Sequence, residues 1–353
     1  MRRQSWLLHA SVRDVDRPVT VFGYADRMKT LLAAVVLLGV VGAVQAQQEH
    51  PLLSGPGPTF TVAEKDLNKD LSIVVYGDMR FTDPTNVKSA NPGARKALVA
   101  KIAEEKPDAV QLTGDVPLAG NIPADYAEFV LETASWRTAH LRVYPSLGNH
   151  ELVGPDKQAD LENWWRAFPE LKDRRWYSVA LGKKIYFLNI DSDVSLLPGS
   201  EQRRWIEDQV AHLSKSVEFV FVALHHPPVA DVQTHIEVDH NPRENEISLR
   251  DFLAHAAPAS HARFIVTAGH IHNYERFSRD GVTYLVSGGG GAKPYMVERT
   301  PLDLYQTDDF PNFHYVRFTL KGKTLQGSMH RLTEASKTPA EWQIKDTFSL
   351  EAK

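Results

Sequence analysis

The sequence contains no cysteine. The chain therefore has no disulfides, and any metal site must be built from His, Asp, Glu and Asn. It also lacks a dominant charge. Forty Lys and Arg stand against 44 Asp and Glu, for a net charge of −4. That gives no global electrostatic case for nucleic acid or anionic lipid as a partner. Internal repeats and low-complexity tracts are absent, so the 353 residues make one large domain or two small ones.

One apolar stretch stands out, MKTLLAAVVLLGVVGAVQA at residues 28–46. It has a lysine, an apolar run and small residues before Gln47, the layout of a secretory signal with cleavage after Ala46. The run is too short to span a bilayer comfortably, which leaves a membrane anchor as the lesser alternative. Residues 1–27 carry Asp14, Asp16 and Asp26, unlike a signal n-region, so translation is expected to start at Met28. Loss of residues 1–46, with six Lys/Arg and three Asp, takes the net charge from −4 to −7. The expected location is periplasmic or secreted, without stable membrane insertion. Residues 47–69, Pro/Gly-rich at HPLLSGPGPTF, read as a leader onto a domain at 70–353.

From there short β-branched runs alternate with amphipathic helical segments. LSIVVYGD, DAVQLTGD and LRVYPSLGNHE read as strands with their turns, separated by the helices ARKALVAKIAEEK and ADYAEFVLETASWR. The second half is richer in strands: KIYFLNIDSD, EFVFVALHHPP, ARFIVTAGHIH and VTYLVSGGGG. The helix SEQRRWIEDQVAHL lies among them, and the end reads as a hairpin turning near Lys321-Gly322. This favours an α/β sandwich of two sheets over an all-parallel doubly wound sheet. Trp164, Trp165, Trp176 and Trp205 fall in apolar-periodic segments and are assigned to the core.

The strand ends carry the chemistry. They deliver Gly77-Asp78, Gly114-Asp115, Gly148-Asn149-His150-Glu151, His225-His226-Pro227 and Gly269-His270-Ile271-His272. One Gly-Asp after a strand is ordinary turn chemistry. Five ligand-type turns in order, at the strand ends where open sheets hold ligands, are hard to obtain that way. Imidazole is a common transition-metal ligand, so His270 and His272 suit one ion or two neighbouring ions.

The set GD, GD, GNHE, VALHHPP, GHIHNYER resembles the calcineurin-like metallophosphoesterases, closest in flavour to purple acid phosphatases, over about residues 70–290. The resemblance implies a four-layer α-β-β-α sandwich and hydrolysis of phosphate mono- or diesters by attack of a metal-bound hydroxide. It implies two transition-metal ions (Mn, Zn or Fe) bridged by Asp115. Asp78 and His272 would complete one site, and Asn149, His225 and His270 the other. His225 is preferred to His226 because it fits the family's spacing from Val222. His150 would bind the phosphoryl group or protonate the leaving oxygen, with Glu151 as its orienting partner. A small phosphorylated substrate is the expected partner.

Two positions depart from the family. Arg80 stands where many members have a histidine ligand, and arginine cannot ligate. Leu118 stands where purple acid phosphatases have a tyrosine, so iron-loaded protein is expected not to be purple. Arg80 suits a bidentate contact to phosphate, with a surface pair to Asp83 or another acid as the plainer reading. The departures keep open a binding module, with one metal or none of the chemistry. His235 and His240 could line the pocket. SGGGGAKPY, residues 287–295, lacks a P-loop's setting and is expected to let backbone pass close to the site.

Overall fold

The protein is described by a computed structural model that covers residues 57–232 and 240–353. The signal segment expected at 28–46 and His235 lie outside the described residues. The chain divides into two units, Met1–Gln48 and Glu49–Lys353, and the fold described is that of the second.

Strand β1 (Phe60–Val62) comes first, so part of the expected leader is a strand. Then follow β2 (Leu71–Tyr76), α1 (Pro92–Glu105), β3 (Ala109–Leu112), α2 (Pro123–Glu132), α3 (Ala134–Thr138), β4 (Val143–Pro145) and α4 (Lys157–Ala167). The second half has β5 (Tyr177–Leu181), β6 (Ile185–Asn189), α5 (Glu201–Ala211), β7 (Phe219–Ala223), α6 (Glu244–Ala259), β8 (Arg263–Ala268), β9 (Tyr274–Arg279) and β10 (Val282–Ser287). The chain ends in β11 (His314–Lys321), β12 (Thr324–Glu334) and β13 (Glu341–Glu351). Helices begin where the sequence supplies caps. Asn91 accepts from Ala94 N with Pro92 in the first turn of α1, and Ser200 accepts from Arg203 N at α5.

Two mixed sheets result. One runs β1-β5-β6-β7-β8-β10-β9 and the other β13-β12-β11-β2-β3-β4. Period-2 alternation explains the layering. Phe187, Phe221, Ile265, Ile73, Val75 and Phe318 face one another between the sheets, with Phe221 edge-on to Phe318 at 5.0 Å. The intervening Leu188, Val220, Val222, Phe264 and Val266 face outward onto Trp205 and Ile206 of α5 and Leu249 and Leu253 of α6. On the other sheet Tyr76 turns outward onto Trp136 of α3, whose indole N–H donates to Val99 O of α1. The architecture is the α-β-β-α sandwich that the sequence suggests. Trp164, Trp165 and Trp205 are buried in it, and Trp176 is half-buried against the outer cluster.

The architecture places the chemistry. β2, β3 and β4 are parallel neighbours in one sheet, and β7 and β8 are parallel neighbours in the other. The five motif turns therefore emerge at C-terminal strand ends on one edge of the sandwich.

Candidate metal centre

Beyond β2 and β3 the backbones remain tied, with Asp78 N donating to Gly114 O and Arg80 N to Asp115 O, each at 3.0 Å. Asp78, Asp115 and His270 all have positive φ, at 61, 54 and 71°. Residues with a Cβ occupy that region at a cost, which persists where surrounding structure fixes it, commonly at functional sites. Gly114 before Asp115 also turns at positive φ, 91°, whereas Gly148 and Gly269 serve space. A Cβ on Gly148 would lie 2.5 Å from Asp115 Oδ1, and one on Gly269 would lie 2.5 Å from Asp78 Oδ2. At the β8 turn the positive φ belongs to His270 and not to Gly269.

One group of donor atoms collects around His225. Its Nδ1 is 2.9 Å from Thr113 O, a carbonyl that can only accept, so the proton is on Nδ1 and Nε2 presents a lone pair. That Nε2 lies 3.0 Å from Asn149 Oδ1, 3.2 Å from His270 Nδ1 and 3.3 Å from Asp115 Oδ1. Ligand atoms about 2.0–2.2 Å from a common ion stand roughly 3.0–3.4 Å apart, so this spacing fits a cation. His270 Nε2 turns the other way, 3.1 Å from His240 Nδ1.

A second group lies on the other side of Asp115. His272 donates from Nδ1 to Lys293 O at 2.6 Å. Its Nε2 is buried, 3.4 Å from Asp78 Oδ1, with no hydrogen-bond partner among the described residues. A buried lone pair aimed at a carboxylate is unfavourable unless a cation sits between them. Both Asp78 oxygens accept from His270 N. Asp115 Oδ2 meets Arg80 Nη2 at 3.2 Å, and the same guanidinium acts electrostatically on Asp78 and His272. Asp115 thus serves both groups. Donor atoms of Asp78, Asp115 and His225 lie within 4.8 Å of one another, as do those of His225, His226 and His270.

The electrostatics agree with a cation site. Burial pushes the Asp78 carboxyl up to about 8, against the pull of His225. Burial works the same way on Asp115, but His225, His150 and Arg80 more than offset it and hold that carboxyl below its ordinary range. Burial keeps two imidazoles neutral: His272 falls to about 3, with Arg80 adding to the effect, and His270 is also lowered. These neutral imidazoles and buried carboxylates want positive charge beyond that of Arg80.

The structure brings Asp78, Asp115, Asn149, His150, His225, His270, His272 and Arg80 together. His150 Nδ1 is bonded to Leu118 O, leaving Nε2 4.0 Å from Asp115 Oδ2. Two expected contacts are corrected. Glu151 does not touch the His150 ring. Its carboxylate accepts from Asp115 N, Val116 N and Gly148 N at 2.8–3.0 Å, tying the β3 and β4 turns together. Arg80 pairs with another acid, the buried Asp115, and not with Asp83, which is exposed and accepts from Thr85. His226 points its Nδ1 at Ser192 Oγ, 2.8 Å away, beside the His270 ring.

Tyr295 was not singled out by sequence. It stacks on His272 at 4.1 Å and on His240 at 5.0 Å, and burial raises its pKa. Its only sequence signal is its place at the end of the SGGGGAKPY run. That run does pass close: a Cβ on Gly288 would lie 2.1 Å from Ile271 O and 2.8 Å from Asp78 Oδ2.

No curated protein matches the chain. Among solved structures, the purple acid phosphatase PPD1 from yellow lupin (Lupinus luteus) seeds superposes with a TM-score of 0.64 at 18% identity. That match covers 81% of this chain but 54% of the lupin one, so the chain spans about half the length of that relative. PhoD gives a TM-score of 0.58 at 13% identity, covering 84% of this chain and 71% of PhoD. A dimetal phosphatase from Danio rerio gives 0.53 at 12% identity, covering 80% and 99%. At these identities the likeness is one of fold. The sequence profile of the calcineurin-like phosphoesterases matches residues 71–274, more than half of the chain. With the two mixed sheets and the shared Asp115, this settles the relationship: the chain belongs to the calcineurin-like phosphoesterase family.

Proposed function

We propose that the chain is an exported metal-dependent phosphoesterase that hydrolyses mono- or diesters of small phosphorylated molecules. The observation that carries the reading is Asp115, whose Oδ1 reaches His225 while Oδ2 meets Arg80, the guanidinium that also acts on Asp78 and His272. Asp115, Asn149, His225 and His270 would hold one ion, and Asp78, Asp115 and His272 the other. Mixed oxygen and nitrogen donors suit Mn, Zn or Fe over Ca. When bound, such a pair neutralises phosphoryl oxygens and makes hydroxide available near neutral pH.

The chain's own residues supply the rest. Leu118 O holds the His150 Nδ1 proton, so Nε2 is the atom that meets the substrate. Protonated there, it donates to the leaving oxygen. Arg80 keeps its guanidinium at the same edge, with Nε buried and unpartnered among the described residues, and offers N–H groups to phosphoryl oxygens. The export part of the proposal rests on residues 28–46 alone.

The rival reading is a phosphate-binding module without turnover, favoured by Arg80 standing in a ligand's place. Release of p-nitrophenol from mono- and bis-p-nitrophenyl phosphate separates the two. Hydrolysis that chelator stops and Mn, Zn or Fe restores supports the enzyme, and the faster ester names its class. A folded protein that binds an ion and releases nothing with any metal is the module.

A further inference from the structure

Arg80 is held where it is by more than its own side chain. Its backbone sits at φ 49°, its N donates to Asp115 O, and its carbonyl accepts from Arg95 Nη1 at 3.1 Å. Arg95 is buried and clamped to Glu132 through two bonds of 2.9 and 2.6 Å. The guanidinium ends 3.2 Å from Asp115 Oδ2, 16% exposed, with Nε unpartnered among the described residues. A fixed positive charge therefore lies against the oxygen that the ion beside Asp78 and His272 would need. At the other subsite four donor atoms converge, and among the described residues no lysine or arginine is bonded to Asn149, His225 or His270.

We propose that Arg80 makes the two metal subsites unequal. The ion between Asp115, Asn149, His225 and His270 is held firmly. The ion between Asp78, Asp115 and His272 is held weakly until a phosphate group arrives to take up the Arg80 N–H groups. The inference rests on the metal-centre reading above and adds the order in which the centre fills. Two like charges about 4–5 Å apart in a partly buried site repel strongly enough to weaken the second ion on the order of 100-fold. A phosphate that binds Arg80 and the ion together must strengthen both contacts equally, because linkage is reciprocal.

The test is manganese(II) titration of the full chain, with free ion read from its electron paramagnetic resonance signal, with and without inorganic phosphate. Expected is one tight ion and a second about 100-fold weaker, the gap narrowing when phosphate is present. Arg80→His should bring the two within about 10-fold by adding a ligand, and Arg80→Gln should narrow the gap by removing charge alone. Arg80→Lys, which keeps the charge, should leave the gap open. Melting curves show that each variant is folded. Two equal sites in the unaltered protein, or a gap unchanged in both Arg80→His and Arg80→Gln, overturns this inference and leaves the phosphoesterase reading standing. No manganese bound by any form overturns both.

Discussion

Asp115 is the residue on which two groups of donors depend, and its replacement is the sharpest single change. Asp115→Asn keeps the size but removes the charge, and it offers at most one oxygen. Changes merely behind a ligand cost about 10–100-fold in metal affinity or activity, so this one should exceed about 100-fold in kcat/KM for p-nitrophenyl phosphate. His150 makes a prediction with a pH sign. Burial lowers its pKa below the ordinary 6.5. The donating form is the protonated one, so its population falls as pH rises, and the descending limb of kcat should lie below about pH 6.5. His150→Asn should lose about 100-fold or more and that limb with it. A third expectation concerns colour. No tyrosine stands at Leu118, and Tyr295 lies flat on His272 with its pKa raised, so iron-loaded protein should show no visible tyrosinate band.

Most of these residues were legible because each closes a short apolar run with a turn of one glycine and a ligand type. What the run cannot reveal is who answers from elsewhere in the chain. Glu151 sits next to His150 in sequence, yet its carboxylate serves the backbone of Asp115 and Val116, 36 and 35 positions away. Tyr295 and Lys293 reach His272 from a loop whose glycines alone gave notice.

At the scale of elements, β2, β3, β7 and β8 read clearly because they are buried on both faces. β13 did not. Its sequence, EWQIKDTFSLE, packs one strand against β12 and leaves much of its surface in water, so no strong hydrophobic pattern is needed. α6 was missed for a related reason: Pro258 interrupts its last turn, and only Glu246, Leu249, Leu253 and Ala257 are buried. The pairing of β2 with β11 joins segments more than 200 positions apart, which local pattern cannot specify. The glycine run after β10 yields the element-scale prediction. Gly288→Ala drives a Cβ into Ile271 O and toward Asp78 Oδ2. It should lower stability by about 1–3 kcal/mol in chemical denaturation and weaken manganese binding, because the subsite of Asp78 and His272 is pushed apart.

For the whole molecule, buried neutral histidines make acid the weak side. His314 is the cleanest case, fully buried, 2.9 Å from Asn312 O and 3.1 Å from Ser287 Oγ. Burial takes its pKa from the ordinary 6.5 down to about 4. Above pH 6.5 both folded and unfolded forms are neutral and the native contacts are fully felt. Between 6.5 and 4 only the unfolded chain takes the proton, so stability falls with pH by as much as about 3 kcal/mol from this group. Urea denaturation at pH 7.5 and 4.5 should show that loss, and His314→Gln should shrink the difference between the two pH values.

The central claim is a pair of ions sharing Asp115. Anomalous diffraction at the manganese edge, from crystals soaked in excess manganese and phosphate, tests it directly. The account predicts two peaks about 3.5–4 Å apart with the Asp115 carboxylate between them, one beside Asn149, His225 and His270 and one beside Asp78 and His272. No peak at Asp115, or a single peak there that no manganese concentration turns into two, would contradict it.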